Sequence, residues 1–171
     1  MSGVPAAVTI VVHAPEETTA LAAWLGEALV AGDLLLLEGG LGAGKTAFVQ
    51  GLAKGLGLTG AVKSPTYTLV HEHRASLPGR PGLGHLDLYR MPEGRDLGDL
   101  GLDDLLARGA VAVEWGGRLA GREPDALRVA IEGPDPDAPP GRRRIAFAGR
   151  GARARALVAR VEAYAARTAS P

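Results

Sequence analysis

The chain has 171 residues, of which 46% are hydrophobic and 22% charged, and this length suits one α/β domain with a buried core. Its 19 basic and 19 acidic side chains balance, so no overall charge draws the chain towards nucleic acid or a membrane surface. The absence of cysteine excludes disulfides, thiolate metal sites and cysteine nucleophiles.

No targeting pattern is visible in the sequence. Residues 1–30 lack a basic segment followed by an apolar one, and no apolar run approaches the length of a membrane span. We therefore expect a cytoplasmic protein that does not contact a membrane. No linker divides the sequence, so we expect one domain over residues 1–171.

The first predicted elements are a strand, a helix and a second strand. Residues 8–12 form a short run rich in β-branched side chains, which is typical of a strand. Pro15 opens a helical pattern with its apolar residues on one face, and Gly32 is expected to stop it. The apolar run 34–37 predicts a buried strand.

That strand leads into a complete G-x-x-x-x-G-K-[ST] phosphate-binding loop. Glycines allow backbone N–H groups to surround phosphate oxygens, and the helical stretch 47–56 adds the positive end of its dipole. Lys45 is expected to reach the β- and γ-phosphates, and the Thr46 hydroxyl to bind Mg²⁺. This context favours nucleotide binding over a chance glycine turn, without specifying the nucleotide. The loop residues are Gly39, Gly40, Leu41, Gly42, Ala43, Gly44, Lys45 and Thr46.

A hydroxyl-rich segment follows that helix. Residues 61–70 predict an extended stretch that contains the sequence Ser-Pro-Thr-Tyr-Thr from Ser64. Thr66 is a candidate to sense the γ-phosphate or its Mg²⁺, as switch residues do, although Ser-Pro-Thr is also ordinary turn chemistry. Residues 76–84 are rich in Pro and Gly and predict a surface loop.

Two carboxylates come near the ends of the next predicted strands. Asp87 lies towards the end of the strand-like run 83–89, and Glu114 follows the apolar residues 110–113. Carboxyl ends of parallel strands open on the ligand crevice, so both are candidates to bind Mg²⁺ or to orient an attacking water. The sequence does not decide which of the two carboxylates is closer to Mg²⁺. Between them, residues 97–106 predict a helix.

The C-terminal part predicts an antiparallel pair and a helix. Residues 127–131 and 144–147 read as a hairpin, and 152–167 as an Ala/Arg-rich helix. Together with the alternation of strands and helices before it, this predicts an α/β fold. Its sheet would be mostly parallel, covered by helices on both faces, with an antiparallel C-terminal addition.

The arginines are concentrated at the C-terminal end. From Gly141 onward there are eight arginines and one acidic residue, Glu162, so this tail carries a net charge of +7 and the rest −7. A solvated helix face is the plainer interpretation. Contact with RNA or with an acidic partner is the alternative.

Four segments, taken in order, resemble one known family. They are residues 42–46 (GAGKT), 63–70 (KSPTYTLV), 85–90 (HLDLYR) and 114–115 (EW). The chain is similar there to the bacterial TsaE (YjeE) ATPases. The phosphate loop is generic, whereas the S-P-T-[YF]-T-L-V and H-x-D-L-Y-R segments are specific to that family.

The resemblance implies a P-loop NTPase-like fold and a weak, partner-coupled ATPase with ATP and Mg²⁺ as its cofactors. Such proteins act with the TsaB–TsaD pair in forming threonylcarbamoyladenosine at position 37 of tRNA. The threonylcarbamoyl transfer itself belongs to the partner. Contact with tRNA is then indirect, or direct through the arginine-rich tail.

The resemblance also implies roles for individual residues. The catalytic positions of the family correspond to Lys45, Asp87 and Glu114 in this chain. Its Mg²⁺-associated positions correspond to Thr46, Asp87 and Glu114. The implied nucleotide contacts outside the loop are Thr18 near the base, the switch residue Thr66, and Arg142 or one of its neighbours.

Three other functions are alternatives to this one. A P-loop small-molecule kinase would need lid arginines, for which the chain offers candidates, but no segment reads as a clear lid. A GTPase is disfavoured, because the guanine-reading N-K-x-D motif needs asparagine and the chain has none. A scaffold that uses ATP only to hold its shape is the third alternative. The lid candidates are Arg74, Arg80, Arg90 and Arg95.

Overall fold

A computed structural model describes residues 6–65, 68–92, 97–119, 123, 125–134 and 136–169. In these residues seven strands form one sheet, in the spatial order β1-β7-β6-β2-β5-β4-β3. The strands are β1 (Ala6–Val12), β2 (Leu34–Glu38), β3 (Val70–His73), β4 (Gly82–Asp87), β5 (Gly109–Glu114), β6 (Leu127–Glu132) and β7 (Arg143–Gly149). The helices are α1 (Pro15–Gly26), α2 (Lys45–Gly55), α3 (Leu102–Arg108) and α4 (Ala152–Thr168).

The centre of the sheet is parallel. The four strands β6, β2, β5 and β4 all run in the same direction. In β2, Leu35 and Leu37 join the core shared with α1, α2 and α4, while Leu34 and Leu36 join the core shared with α3. A strand covered on both faces has to be apolar throughout, which explains the uninterrupted leucines. The predicted fold class, α/β and P-loop-like with helices on both faces, is confirmed.

Antiparallel strands flank this centre on both sides. β7 pairs antiparallel with β6, as the predicted hairpin requires, and β1 then pairs antiparallel with β7. At the other edge β3 pairs antiparallel with β4, because residues 74–81 turn the chain straight back. The sequence predicted the C-terminal addition but neither of these outer pairings.

Two predicted helices differ in extent from those observed. α1 ends at Gly26, not near Gly32, because the chain tightens and the N–H group of Leu29 donates to the Gly26 carbonyl. The predicted helix 97–106 is divided into a 3₁₀ turn, Leu97–Leu100, and α3. Gly101 separates them with a φ of 69°. Within the described residues, no helix has the length and apolar character needed to cross a membrane.

Helices α1 and α2 touch through their backbones. A Cβ atom on Gly51 would lie 2.6 Å from the Thr19 carbonyl oxygen, and one on Gly55 would overlap the Ala23 carbonyl. Glycine is therefore required at both positions of α2. The helix that follows the phosphate loop is thus seated directly on α1.

Candidate nucleotide-binding site

The phosphate loop joins β2 to α2 and depends on glycine. Gly39, Gly42 and Gly44 have positive φ angles of 153°, 72° and 112°. A Cβ on Gly39 would also lie 2.5 Å from the Ile131 carbonyl oxygen. The first helical bond joins the Phe48 N–H group to the Gly44 carbonyl, so the N–H groups of the first turn lack intrahelical partners. This is the arrangement that binds phosphate oxygens in other proteins.

Lys45 begins α2 and folds back over the loop. Its Nζ atom donates to the carbonyl oxygens of Gly39, at 2.7 Å, and Gly40, at 2.8 Å. The same atom lies 4.2 Å from the centre of the Trp115 ring. Burial lowers the pKa of Lys45, and the nearby carboxylates of Glu114 and Asp87 act in the opposite direction. The ammonium group is thus held at the loop by neutral oxygens that phosphate oxygens can replace.

Glu114 contacts the hydroxyl that the loop motif assigns to Mg²⁺. It is the last residue of β5 and only 4% exposed. Its position follows from the sheet, because β5 pairs in parallel with β2 and places Glu114 beside Leu37, two residues before the loop. The Thr46 hydroxyl donates to Glu114 Oε1 at 3.0 Å. Of the two carboxylates, Glu114 is therefore the one in contact with Thr46.

Asp87 lies next to Glu114 but has different partners. The two residues are directly opposite each other on β4 and β5. Asp87 accepts a hydrogen bond from the Ser64 hydroxyl at 3.1 Å and another from the Tyr89 N–H group at 3.0 Å. Ser64, which was not among the predicted site residues, thereby links the hydroxyl-rich segment to the site. The predicted switch residue Thr66 lies outside the described residues.

Trp115 completes the site in a strained conformation. Among the described residues it alone combines a positive φ, 59°, with a side chain larger than glycine's. Its ring packs against that of Tyr89, with 5.0 Å between the ring centres, and against the Lys45 ammonium. The turn is fixed where the Leu88 N–H group donates to the Glu114 carbonyl at 3.1 Å. Sequence reasoning noted Trp115 only as the residue after Glu114.

The remaining candidates lie around the loop. Thr18 is buried in the first turn of α1, the helix that packs on α2. Arg142 is exposed and borders a cavity of about 260 Å³ before β7. Its neighbour Arg143 contacts the loop, since its Nε atom donates to the Ala43 carbonyl at 3.0 Å. Nucleotide contacts by Thr18 and Arg142 stay predictions.

The oxygen atoms assembled here fit Mg²⁺. Thr46 and Glu114 supply a hydroxyl and a carboxylate in direct contact, with Asp87 beside them, and Mg²⁺ prefers such oxygen ligands. In the described part of the chain, no three His, Asp or Glu side chains come together as a complete metal site. None is needed here, because Mg²⁺ that accompanies a nucleotide takes most of its ligands from phosphates and water.

Two features define a P-loop NTPase-like protein. The phosphate loop joins β2 to α2 in a sheet with a parallel centre, and a carboxylate on the neighbouring strand β5 contacts the loop threonine. A model of the family described as "Threonylcarbamoyl adenosine biosynthesis protein TsaE" matches residues 12–144. The chain belongs to the TsaE family.

Individual relatives agree with this assignment. Proteins named "tRNA threonylcarbamoyladenosine biosynthesis protein TsaE" include one from Streptomyces coelicolor, 46% identical over 63% of this chain and 74% of its own length. One from Bacillus subtilis is 42% identical over 69% of this chain and 73% of its own length. The crystal structure of YdiB from Bacillus subtilis superposes with a TM-score of 0.74 at 32% identity, covering 95% of this chain and 99% of YdiB.

Proposed function

We propose that this protein is a Mg²⁺-dependent ATPase that acts with the TsaB–TsaD pair in forming threonylcarbamoyladenosine at position 37 of tRNA. Membership of the TsaE family and the names of the relatives support the pathway. The observation that carries the ATPase proposal is the hydrogen bond from Thr46 to Glu114, at the base of a loop shaped for phosphates. A carboxylate has this position relative to the loop hydroxyl in P-loop NTPases.

Each residue then has a defined task. Lys45 exchanges the Gly39 and Gly40 carbonyls for phosphate oxygens when ATP binds. Glu114 holds the Thr46 hydroxyl so that its lone pairs are available to Mg²⁺, which supplies positive charge to the phosphates when bound. Asp87, fixed by Ser64 and by the Tyr89 N–H group, orients the attacking water.

The same contacts couple the site to a partner. Asp87 holds Ser64, so a change at the γ-phosphate reaches the hydroxyl-rich segment that follows it. Beside the site, Leu41 at the loop tip is 75% exposed and Tyr89 49%. Aromatic residues are enriched in protein interfaces, so this exposed surface is suited to contact with a partner. We expect TsaB–TsaD to cover it while ATP is bound and to be released by hydrolysis.

The test is ATP hydrolysis by the purified protein, alone and with its own TsaB–TsaD pair, with and without Mg²⁺. Glu114→Gln should lower turnover at least about 100-fold while ATP still binds, because the loop and Lys45 are unchanged. Glu162→Gln, an exposed glutamate on α4, is the matched control. Normal turnover in Glu114→Gln would contradict the site. Turnover that ignores the TsaB–TsaD pair would contradict the coupling and call for a screen of phosphoryl acceptors.

A further inference from the structure

A buried histidine lies behind Glu114. His85 is on β4, two residues before Asp87, and none of its surface is exposed. Its Nε2 atom lies 2.8 Å from Glu114 Oε1, the same oxygen that accepts the hydrogen of the Thr46 hydroxyl. One carboxylate oxygen therefore connects the phosphate loop with the interior of the β3–β4 hairpin.

The sheet register explains how these residues meet. On the parallel pair β4–β5, His85 is opposite Ala112, and Asp87 is opposite Glu114. Side chains two residues apart on a strand point to the same face, so His85 and Glu114 are diagonal neighbours. Ala112 belongs to the core shared with α2, which places the contact beneath the phosphate loop's own helix.

We assign the hydrogen of this bond to the histidine. An ionised carboxylate only accepts hydrogen bonds, so Nε2 carries the hydrogen that points to Glu114. The other ring nitrogen, Nδ1, is buried without a hydrogen-bond partner among the described residues. An unpaired buried polar atom is unfavourable and calls for an explanation. Within the described part of the chain, Glu114 is thus the hydrogen-bond partner of the His85 ring.

We propose that His85 is a positioning residue of the nucleotide site, an inference that rests on the proposed ATPase function. Glu114 has several rotatable side-chain bonds, and the Lys45 ammonium attracts its carboxylate. The hydrogen bond from His85 holds Oε1 on the Thr46 hydroxyl and away from Lys45. The hydroxyl stays oriented for Mg²⁺, and the ammonium stays free for phosphate.

Two substitutions test whether the site requires the hydrogen bond to Glu114 or the histidine ring itself. In His85→Gln the amide nitrogen is as many bonds from Cα as Nε2 is, so it can donate to Glu114. His85→Leu fills similar space without a donor. The matched control is His73→Leu, because His73 is in the same hairpin and its Nε2 atom is also buried without a hydrogen-bond partner among the described residues.

The readout is ATP affinity by calorimetry, with excess Mg²⁺ and again with EDTA. We expect Mg²⁺ to tighten ATP binding by the wild-type protein. His85→Leu should reduce that gain about 10- to 100-fold, which is the usual loss when a residue that supports a metal ligand is removed. Affinity in EDTA should not change. His85→Gln and His73→Leu should stay close to wild type. NMR of the nucleotide-free protein should show a slowly exchanging hydrogen on His85 Nε2.

Each other outcome gives a decision. If wild type binds Mg²⁺-ATP and His85→Leu keeps the full Mg²⁺ effect, the inference is overturned and the ATPase proposal stands. Equal losses with Mg²⁺ and with EDTA would also overturn it, since they indicate a merely structural role. If wild type binds no nucleotide, both proposals fall. Should His85→Leu not fold, His85→Asn replaces it, because its shorter amide cannot reach Glu114 and the same loss is expected.

Discussion

Charged side chains are used in opposite ways at the nucleotide site and at the seam where α4 packs on α1 and on the turn before β2. At the seam, Arg153 donates to both carboxylate oxygens of the buried Asp33, at 2.8 and 2.7 Å. Arg160 donates to the Trp24 carbonyl at 2.8 Å and lies over the Trp24 ring, as does Arg167. These cations find their partners within the fold.

At the nucleotide site the cation is held by exchangeable partners. Lys45 donates to two backbone carbonyls, while the carboxylates of Glu114 and Asp87 accept hydrogen bonds from hydroxyl, imidazole and N–H donors. The sign and density of charge in a sequence therefore do not reveal whether a charged side chain binds a ligand or stabilises the fold. In the arginine-rich tail, several arginines contact other parts of the fold and are used for packing. A tRNA contact stays a prediction and would fall to exposed arginines of the tail such as Arg142, Arg150 and Arg155.

The largest expected effect is at the nucleotide site. Lys45→Ala should weaken ATP binding at least about 100-fold, because it removes the only cation of the motif that reaches the phosphates. The melting temperature should not fall, since burial already disfavours this charge. Calorimetric titration and thermal unfolding check both parts. Lys54→Ala, exposed on the same helix, is the control; a Lys45→Ala protein that melts early would show that its ammonium also serves the fold.

In the seam, the loss of an arginine should lower the stability of the fold and leave ATP turnover unchanged. Arg153→Ala leaves the Asp33 carboxylate, 2% exposed, with the Val30 N–H group as its remaining described donor. We expect a loss of about 2 kcal/mol of unfolding free energy, below the usual cost for a buried pair because Arg153 itself is 45% exposed. Urea unfolding measures this, with Arg155→Ala as control. ATP turnover per folded molecule should be unchanged, and a large loss of turnover would break the comparison.

The smallest effect is expected at the end of the same helix. Arg167 lies 4.7 Å from the centre of the Trp24 ring, in an exposed position. Arg167→Ala should cost about 0.5 kcal/mol, and Arg167→Lys less, because a cation remains over the ring. Urea unfolding of both variants tests this order. If Arg167→Ala instead weakened tRNA binding at low salt, the seam would have a second role in recognition.

Sequence patterns predicted the parts of this molecule that local chemistry decides. The loop motif placed Lys45 and Thr46, and the rule for strand ends brought Asp87 and Glu114 to one edge of the sheet. Both depend on short stretches of chain or on neighbouring parallel strands. The pairing of β1 with β7 was missed because the two strands come from opposite ends of the chain, and nothing local in either strand specifies that register.

The contact between His85 and Glu114 was missed for a related reason. A single polar residue in a strand has many interpretations until the partner strand and register are known. The available signal was alternation, which places His85 on the same face of β4 as Asp87. The register of β4 with β5 then brings it to Glu114. For the late arginine, the resemblance pointed to Arg142 or a neighbour, and the side chain in contact with the loop is that of Arg143.

The position of the Trp115 ring beside Lys45 has a practical consequence. The chain has two tryptophans, and Trp24 lies in the α1–α4 seam, so Trp24→Phe leaves one indole in the protein. That indole faces the Lys45 ammonium at 4.2 Å. When the ammonium moves to a phosphate, the electric field across the ring changes, and its emission should change with it. The protein therefore carries an optical reporter of its own loop, suited to following nucleotide arrival and departure in real time without a label.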